Sequence, residues 1–314
     1  MHHADELTSP HDVARRVGLF WKKEIPAWLE RNLDVGPLLD RGLAELATTG
    51  LWGPANREPS LHMWQEAGEV LQHGWLQWRA REKPRGYAGD YEMLGAIYQS
   101  RVTADPRGRS FDEYFLRQAA PQAVRNRMAW VRDEILAAGN DAKVVVIGSG
   151  AGLEVAAALR ASSFGRGEFW LLDLDPEAVA LAEKNLSPLL PPGNLHCLAE
   201  NLVRLPKKRR LVESLQDASL IVCTGFFDYL EDPQAVELLT LFWRLLRSGG
   251  RALVFNFAPW NSTRAYMEWI GNWYLLYRTR ADLARLARSA EIPAESYAVT
   301  AEATGIDLLL TLCK

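Results

Sequence analysis

Cysteine is scarce in this chain, with only Cys197, Cys223 and Cys313 among 314 residues. Three scattered thiols build no disulfide framework, which points to a reducing compartment. No paired Cys or His spacing suggests a metal site, and His2 and His3 read as part of a loose terminus rather than a metal clip. Charge of one sign is lacking too. With a formal net charge of -3 and a pI near 6.1 there is no global basic footprint, and no nucleic acid is expected as a partner. No apolar run approaches the roughly 18 residues of a membrane span. The opening MHHADELTSPHD leads into no apolar stretch of the kind a signal peptide needs, so a soluble, cytoplasmic protein without a membrane partner is expected. There is no repeat period.

What the chain does have is 48% hydrophobic residues, enough to fill a core without staples. Their texture differs between two parts. Up to about residue 120, Trp, Arg and Glu abound, β-branched residues are few, and segments such as Leu61–Leu71 space their apolar positions at three and four. That is helical texture, cut into short helices by Gly36-Pro37, Gly53-Pro54, Pro84-Arg85-Gly86 and Pro106-Arg107-Gly108. The expected division is therefore an all-helical domain over 1–120 and a second domain over 121–314.

From Pro121 onward strands and helices alternate, beginning with a helix through Val124, Met128, Val131 and Leu136 and then the run Lys143–Ile147. Further strands are expected at 168–172, 194–198, 220–224 and 252–257, with a closing antiparallel pair at 296–301 and 307–313. This alternation predicts an α/β Rossmann-like sheet with helices on both faces. Asp175-Pro176 and Asp232-Pro233 each predict an N-cap acid before a helical proline, and the second of these helices is expected to stop at Gly249-Gly250.

The run Val144–Ile147 leads into Gly148-Ser149-Gly150-Ala151-Gly152 and then into an Ala-rich helix. Glycine at alternate positions lets a backbone turn tightly and approach a ligand that a Cβ would exclude. The next strand ends in Asp173, placed to accept hydrogen bonds from a ribose diol, whereas Asp175 mainly caps the following helix. Past the third strand, Asn201 either bonds an adenine edge or simply turns the loop, and Leu174 and Leu202 are candidates to sandwich the ring.

This order of elements resembles the class I S-adenosylmethionine (SAM) dependent methyltransferases from about Pro121 to the end of the chain. The resemblance implies SAM as cofactor, held by Gly148, Ser149, Gly150, Gly152, Asp173, Leu174, Asn201, Leu202 and Thr224. One departure stands out: the acid that many members carry two residues before the first glycine is Val146 here, with Glu154 as a partial substitute. Arg127, on the helix before the first strand, is a candidate for the methionine carboxylate, though a solvated face also explains it and its neighbours Arg125 and Arg132.

On the substrate side, Phe226-Phe227-Asp228-Tyr229 follows the fourth strand, and Asp228 is a catalytic candidate there, with the two phenylalanines read slightly in favour of packing. Asn256, at the end of the fifth strand, either orients substrate or turns the chain. The aromatic helix from Tyr266 to Arg278 is core or the wall of an apolar pocket. In the helical part, Gly86-Tyr87-Ala88-Gly89-Asp90-Tyr91 is either turn and cap chemistry or a lid. With the segments Phe-Phe-Asp-Tyr-Leu and Tyr-Met-Glu-Trp it is similar to a capped bacterial methyltransferase group associated with 3-hydroxypalmitic acid methyl ester biosynthesis. That likeness implies that the helical part is a cap whose Tyr87 (catalytic), Asp90 and Tyr91 (cofactor-binding) close over the site.

The implied activity is methyl transfer to a small, partly apolar metabolite with a carboxylate or hydroxyl acceptor. Methyl transfer from a sulfonium is an in-line displacement, so holding the acceptor close and excluding water are the main tasks. Two other readings remain: cyclisation of SAM to azetidine-2-carboxylate with release of methylthioadenosine, and a non-catalytic nucleotide-binding module. The sequence leaves the oligomeric state open.

Overall fold

Ser9 accepts the N–H of Asp12 and Pro10 takes the first helical position, so the chain enters α1 (Pro10–Glu30) through a satisfied N-cap. The computed structural model describes residues 9–162, 164 and 166–314, and His2 and His3 lie outside the described residues. Its contacts divide into two units. One comprises the chain up to Pro121 together with Ser262–Tyr274; the other comprises Gln122–Asn261 and Leu275–Lys314.

The first unit is helical: α1 is followed by α2 (Gly36–Ala47), α3 (Arg57–Leu71), α4 (Trp75–Glu82), α5 (Tyr91–Tyr98) and α6 (Pro106–Arg117). Its core holds Trp21, Leu39, Met63, Phe111 and Phe115, and the Trp21 indole donates to the carbonyl of Leu38 at 2.8 Å. The segment 262–274, expected in the α/β part, belongs to this unit. Its five-residue π-helical turn Tyr266–Ile270 is buried throughout. Glu268, fully buried, accepts from Gly53 N–H at 2.7 Å, Asn56 Nδ2 at 2.9 Å and Arg264 Nε at 2.7 Å. Arg81 donates to the carbonyls of Trp269 and Ile270 at 3.2 and 3.1 Å. Of the two readings of the aromatic segment, core is the one seen for 266–270.

Helix α7 (Ala119–Ala138), which belongs to the second unit from Gln122 on, leads to the strands β1 (Lys143–Ile147), β2 (Glu168–Asp173), β3 (Leu195–Ala199), β4 (Ala218–Cys223), β5 (Leu246–Phe257), β6 (Tyr297–Ala301) and β7 (Asp307–Cys313). They form one sheet in the order β3-β2-β1-β4-β5-β7-β6, with β7 antiparallel to both its neighbours and β1 to β5 mutually parallel. The helices α8 (Leu153–Ala161), α9 (Pro176–Leu186), α10 (Arg209–Ser214), α11 (Asp232–Leu245) and α12 (Arg280–Ser289) complete it.

Strand residues alternate between two apolar layers. Val144, Val146, Leu171, Val222 and Phe255 face α7, α8 and α9 through Val131, Val155 and Ala182, whereas Val145, Ile147, Ile221 and Val254 face α11 and α12 through Phe242 and Leu286. Both faces are covered, as expected.

Two local expectations change. Asp175 caps α9 by accepting from Glu177 N–H at 2.9 Å, as the Asp-Pro pair predicts, but α11 is capped by Glu231, whose own N–H donates to Gln234 Oε1 at 3.2 Å. Asp232 instead pairs with Arg278 and Arg285. That helix also ends at Leu245, before the two glycines, because Leu246 already begins β5 beside Ala218. Gly250 lies within the strand, where a Cβ would meet the Ala218 carbonyl at 2.7 Å.

Candidate cofactor and substrate site

Ligands of parallel α/β sheets sit beyond the carboxyl ends of the strands, and here β1 delivers the glycine loop to that edge. Gly148, Gly150 and Gly152 all have positive φ. The N–H groups of Gly148 and Ser149 both donate to the carbonyl of Leu172, at 2.8 and 3.1 Å, which folds the loop back over the end of β2. Gly152 caps α8 in the left-handed region, and a Cβ on it would meet Leu171 Cδ2 at 2.8 Å and Leu186 Cδ1 at 2.9 Å. It is therefore the glycine of close helix–sheet packing, whereas Gly148 faces Phe226 and Leu202 across the loop.

Asp173 ends β2 and braces this loop. Its Oδ2 accepts the N–H of Gly150 at 2.7 Å and its Oδ1 that of Asp175 at 3.0 Å. Burial raises its pKa, against the lowering effect of those two N–H donors. Beside it, Ser149 Oγ is buried with no hydrogen-bond partner among the described residues, and Leu174 is left 61% exposed. Leu202 is buried. Asn201 does the turn chemistry: its Oδ1 accepts from Arg204 N–H at 3.3 Å, capping a short 3-10 turn. Val146 is a core residue, and Glu154 is buried.

At the ends of β4 and β5 the expected candidates come together. Phe227 is fully buried against Phe242, so packing is the reading seen for it. Thr224 is buried at the end of β4, and Asp228 follows, its Oδ1 accepting from Asn256 Nδ2 at 3.0 Å and Phe257 N–H at 2.8 Å. Burial raises the pKa of Asp228, opposed by the Phe257 N–H and by Arg127 and Arg278.

Asn256 requires a correction. It is fully buried, its amide also donates to the carbonyls of Phe257 at 3.1 Å and Leu276 at 2.9 Å, and its Oδ1 accepts from Arg278 Nη1 at 2.7 Å. Such a side chain, with its polar atoms engaged, holds Asp228 and the returning segment 275–278 in place.

Arg127 is not on a solvated face. It is buried, donates to Asp307 Oδ2 at 3.1 Å, and lies against Gly225, whose Cβ would sit 3.4 Å from Nη2. Arg278 and Asp307 were not among the expected site residues. Asp307 announces itself only as a carboxylate opening the apolar run Leu308-Leu309-Leu310.

In the helical unit Asp90 also requires a correction. Both its oxygens accept from Arg79 Nε, at 2.8 and 2.9 Å, and Oδ1 caps α5 through Glu92 and Met93 N–H at 3.1 and 3.0 Å. This is turn and cap chemistry backed by a buried ion pair, and it accounts for the residue without a cofactor. Tyr87 and Tyr91 are half-buried.

A sheet of this order with a single antiparallel strand, a glycine loop after β1 and an acid ending β2 defines a Rossmann-like class I methyltransferase fold. Residues 144–250, from β1 into β5, match the family of methyltransferase domains.

Among solved structures, the chain is similar to a possible exported protein from Bordetella parapertussis, at 17% identity over 72% of this chain and 79% of that one, with a TM-score of 0.55. It is also similar to an O-methyltransferase family protein from Burkholderia thailandensis, at 20% identity over 79% and 71% of the two chains and a TM-score of 0.48. For the mitomycin 7-O-methyltransferase MmcR the identity is 16%, over 96% and 94%, with a TM-score of 0.45. The comparison with curated proteins finds no match. Among the described residues, no helix is long and apolar enough to cross a membrane.

Proposed function

We propose that this chain is an SAM-dependent methyltransferase that methylates an oxygen, carboxylate or hydroxyl, of a small and partly apolar metabolite. The observation that carries this reading is the loop itself: three glycines at positive φ, braced by Asp173, with the Ser149 hydroxyl buried and unpartnered beside them. An orphaned buried hydroxyl costs about 1–3 kcal/mol, which a polar ligand at that loop would recover.

The residues fit the cofactor. Asp173 has one lone pair left on each oxygen for a ribose diol, since each already accepts one N–H. Leu174 and Leu202 are the apolar neighbours for the adenine, Asn201 keeps its amide donors for the ring edge, and Thr224 and Arg127 are assigned to the methionyl end. Bound SAM supplies an electrophilic methyl group on a sulfonium; these residues hold and orient it and keep water away. Asp228 serves the acceptor.

The finer assignment follows the likeness to the capped bacterial group of 3-hydroxypalmitic acid methyl ester biosynthesis. In that reading Tyr87 is a catalytic residue and Tyr91 a cofactor contact. Three dispersed cysteines suit a cytoplasmic location.

Calorimetric titration of the full chain with SAM tests the site. Saturable binding is expected, abolished by Gly150→Val, because a branched side chain at φ +50 distorts the loop. Retained affinity in that variant would overturn the site assignment.

A further inference from the structure

Two buried carboxyl groups flank Phe257. Asp228 Oδ1 accepts the N–H of this residue at 2.8 Å, and Asp307 is its cross-strand partner in the β5–β7 register. Each has one oxygen engaged and one idle. Asp228 Oδ1 takes both of that side chain's hydrogen bonds and leaves Oδ2 without one among the described residues. Asp307 Oδ2 takes Arg127, and its Oδ1 is buried without a partner among the described residues.

Further hydrogen bonds hold the frame around them. Adjacent α7 residues grip the two ends of the β6–β7 turn, Asn126 Nδ2 donating to Glu302 Oε2 at 2.7 Å and Arg127 to Asp307. Glu302 Oε1 in turn accepts the N–H groups of Ile306 and Asp307 at 3.2 and 3.3 Å. The charged and titratable groups facing the two carboxyls are Arg127 from α7, Arg278 from the returning segment, Glu302 from the turn and the Cys223 thiol from β4. Two neighbouring carboxyls in so dry a place do not both ionise, and one proton serves the pair.

We propose that Asp228 and Asp307 form a carboxyl pair that holds one proton and whose remaining negative charge takes the proton of a hydroxyl-bearing acceptor. Asp228 faces the acceptor and Asp307 is its positioning partner. The inference rests on the methyltransferase reading and narrows it, because a carboxylate acceptor needs no base. In the step, the acceptor oxygen bonds the methyl carbon as its O–H bond breaks toward Asp228 Oδ2. The electron pair of the broken S–CH3 bond stays on sulfur, and the pair later releases its proton to solvent.

Infrared spectra of the ligand-free full chain at neutral pH test the pair, as wild type minus Asp307→Asn and wild type minus Asp228→Asn. Each difference is expected to contain the carbonyl stretch of one protonated carboxyl, since either variant leaves a lone carboxylate beside Arg127 that ionises. Asp112 and Asp173, also raised by burial, contribute to every sample and cancel. A difference without that band overturns the pair. If a variant does not fold, the wild-type titration decides: a protonated-carboxyl step apart from the bulk carboxylates supports the pair, and its absence overturns it.

The role has its own readout, the pH profile of methyl transfer from labelled SAM into cell extract. Its low-pH limb, the first ionisation of the pair, should move up by about one pH unit or more in Asp307→Asn, because the partner's retained proton no longer steadies the charge on Asp228. An unmoved limb overturns the role. No transfer by wild type at any pH overturns the methyltransferase reading and the base role with it, while the infrared band still reports on the pair.

Discussion

Asp173 Oδ2 accepts the Gly150 N–H at 2.7 Å, so the acid at the end of β2 and the middle glycine of the loop after β1 are one unit. A carboxylate proposed for a ribose thus also sets the loop proposed to meet the rest of the nucleotide. Asp173→Ala removes both contributions. Charge-assisted hydrogen bonds are worth about 1.5–3 kcal/mol each, so SAM affinity should fall at least about tenfold in a calorimetric titration, with some loss of stability.

Gly152→Ala tests packing. The new Cβ meets Leu171 and Leu186 at 2.8 and 2.9 Å and must adopt φ +65. Overpacking of this kind costs about 1–3 kcal/mol, read as a lower urea midpoint at unchanged slope.

Asp90→Ala should destabilise the chain by about 1–3 kcal/mol, because it uncaps α5 and leaves the buried Arg79 with Glu92 as its remaining carboxylate partner. Urea unfolding checks this. A loss below about 1 kcal/mol would show that the ion pair and cap seen at Asp90 contribute little.

Stability should also depend on pH through Asp228 and Asp307, whose pKa values burial raises above 3.8. In the window above 3.8 each binds more proton folded than unfolded, so stability falls as pH rises through the window and levels off above the raised values. Asp307→Asn removes one contributor, and its urea midpoint should decline less steeply toward neutral pH than that of the wild type.

The sheet and the glycine loop were legible because they rest on local chemistry: buried runs of valine and isoleucine, glycines at alternate positions, and an acid closing the next strand. The antiparallel end of the sheet was legible from the short spacing of its last two strands. What escaped is settled by distant partners. Helical spacing in 266–270 shows an apolar face but not whose core receives it, and that face is buried in the helical unit. Asp90 looks like a lid residue until Arg79 is seen beside it, and Asn256 like a substrate contact until Asp228, Leu276 and Arg278 take all its polar atoms. Arg127 gave no hint that Asp307, on the last strand, would hold it.

The central claim, that this chain transfers the methyl group of SAM, meets its most direct test in the products. Purified protein is incubated with SAM alone and with SAM plus cell extract, and the nucleoside products are identified by mass spectrometry. S-adenosylhomocysteine that forms only with extract, matched by a methylated extract component, is the predicted result. Methylthioadenosine formed from SAM alone, or SAM left unchanged in both incubations, would contradict it.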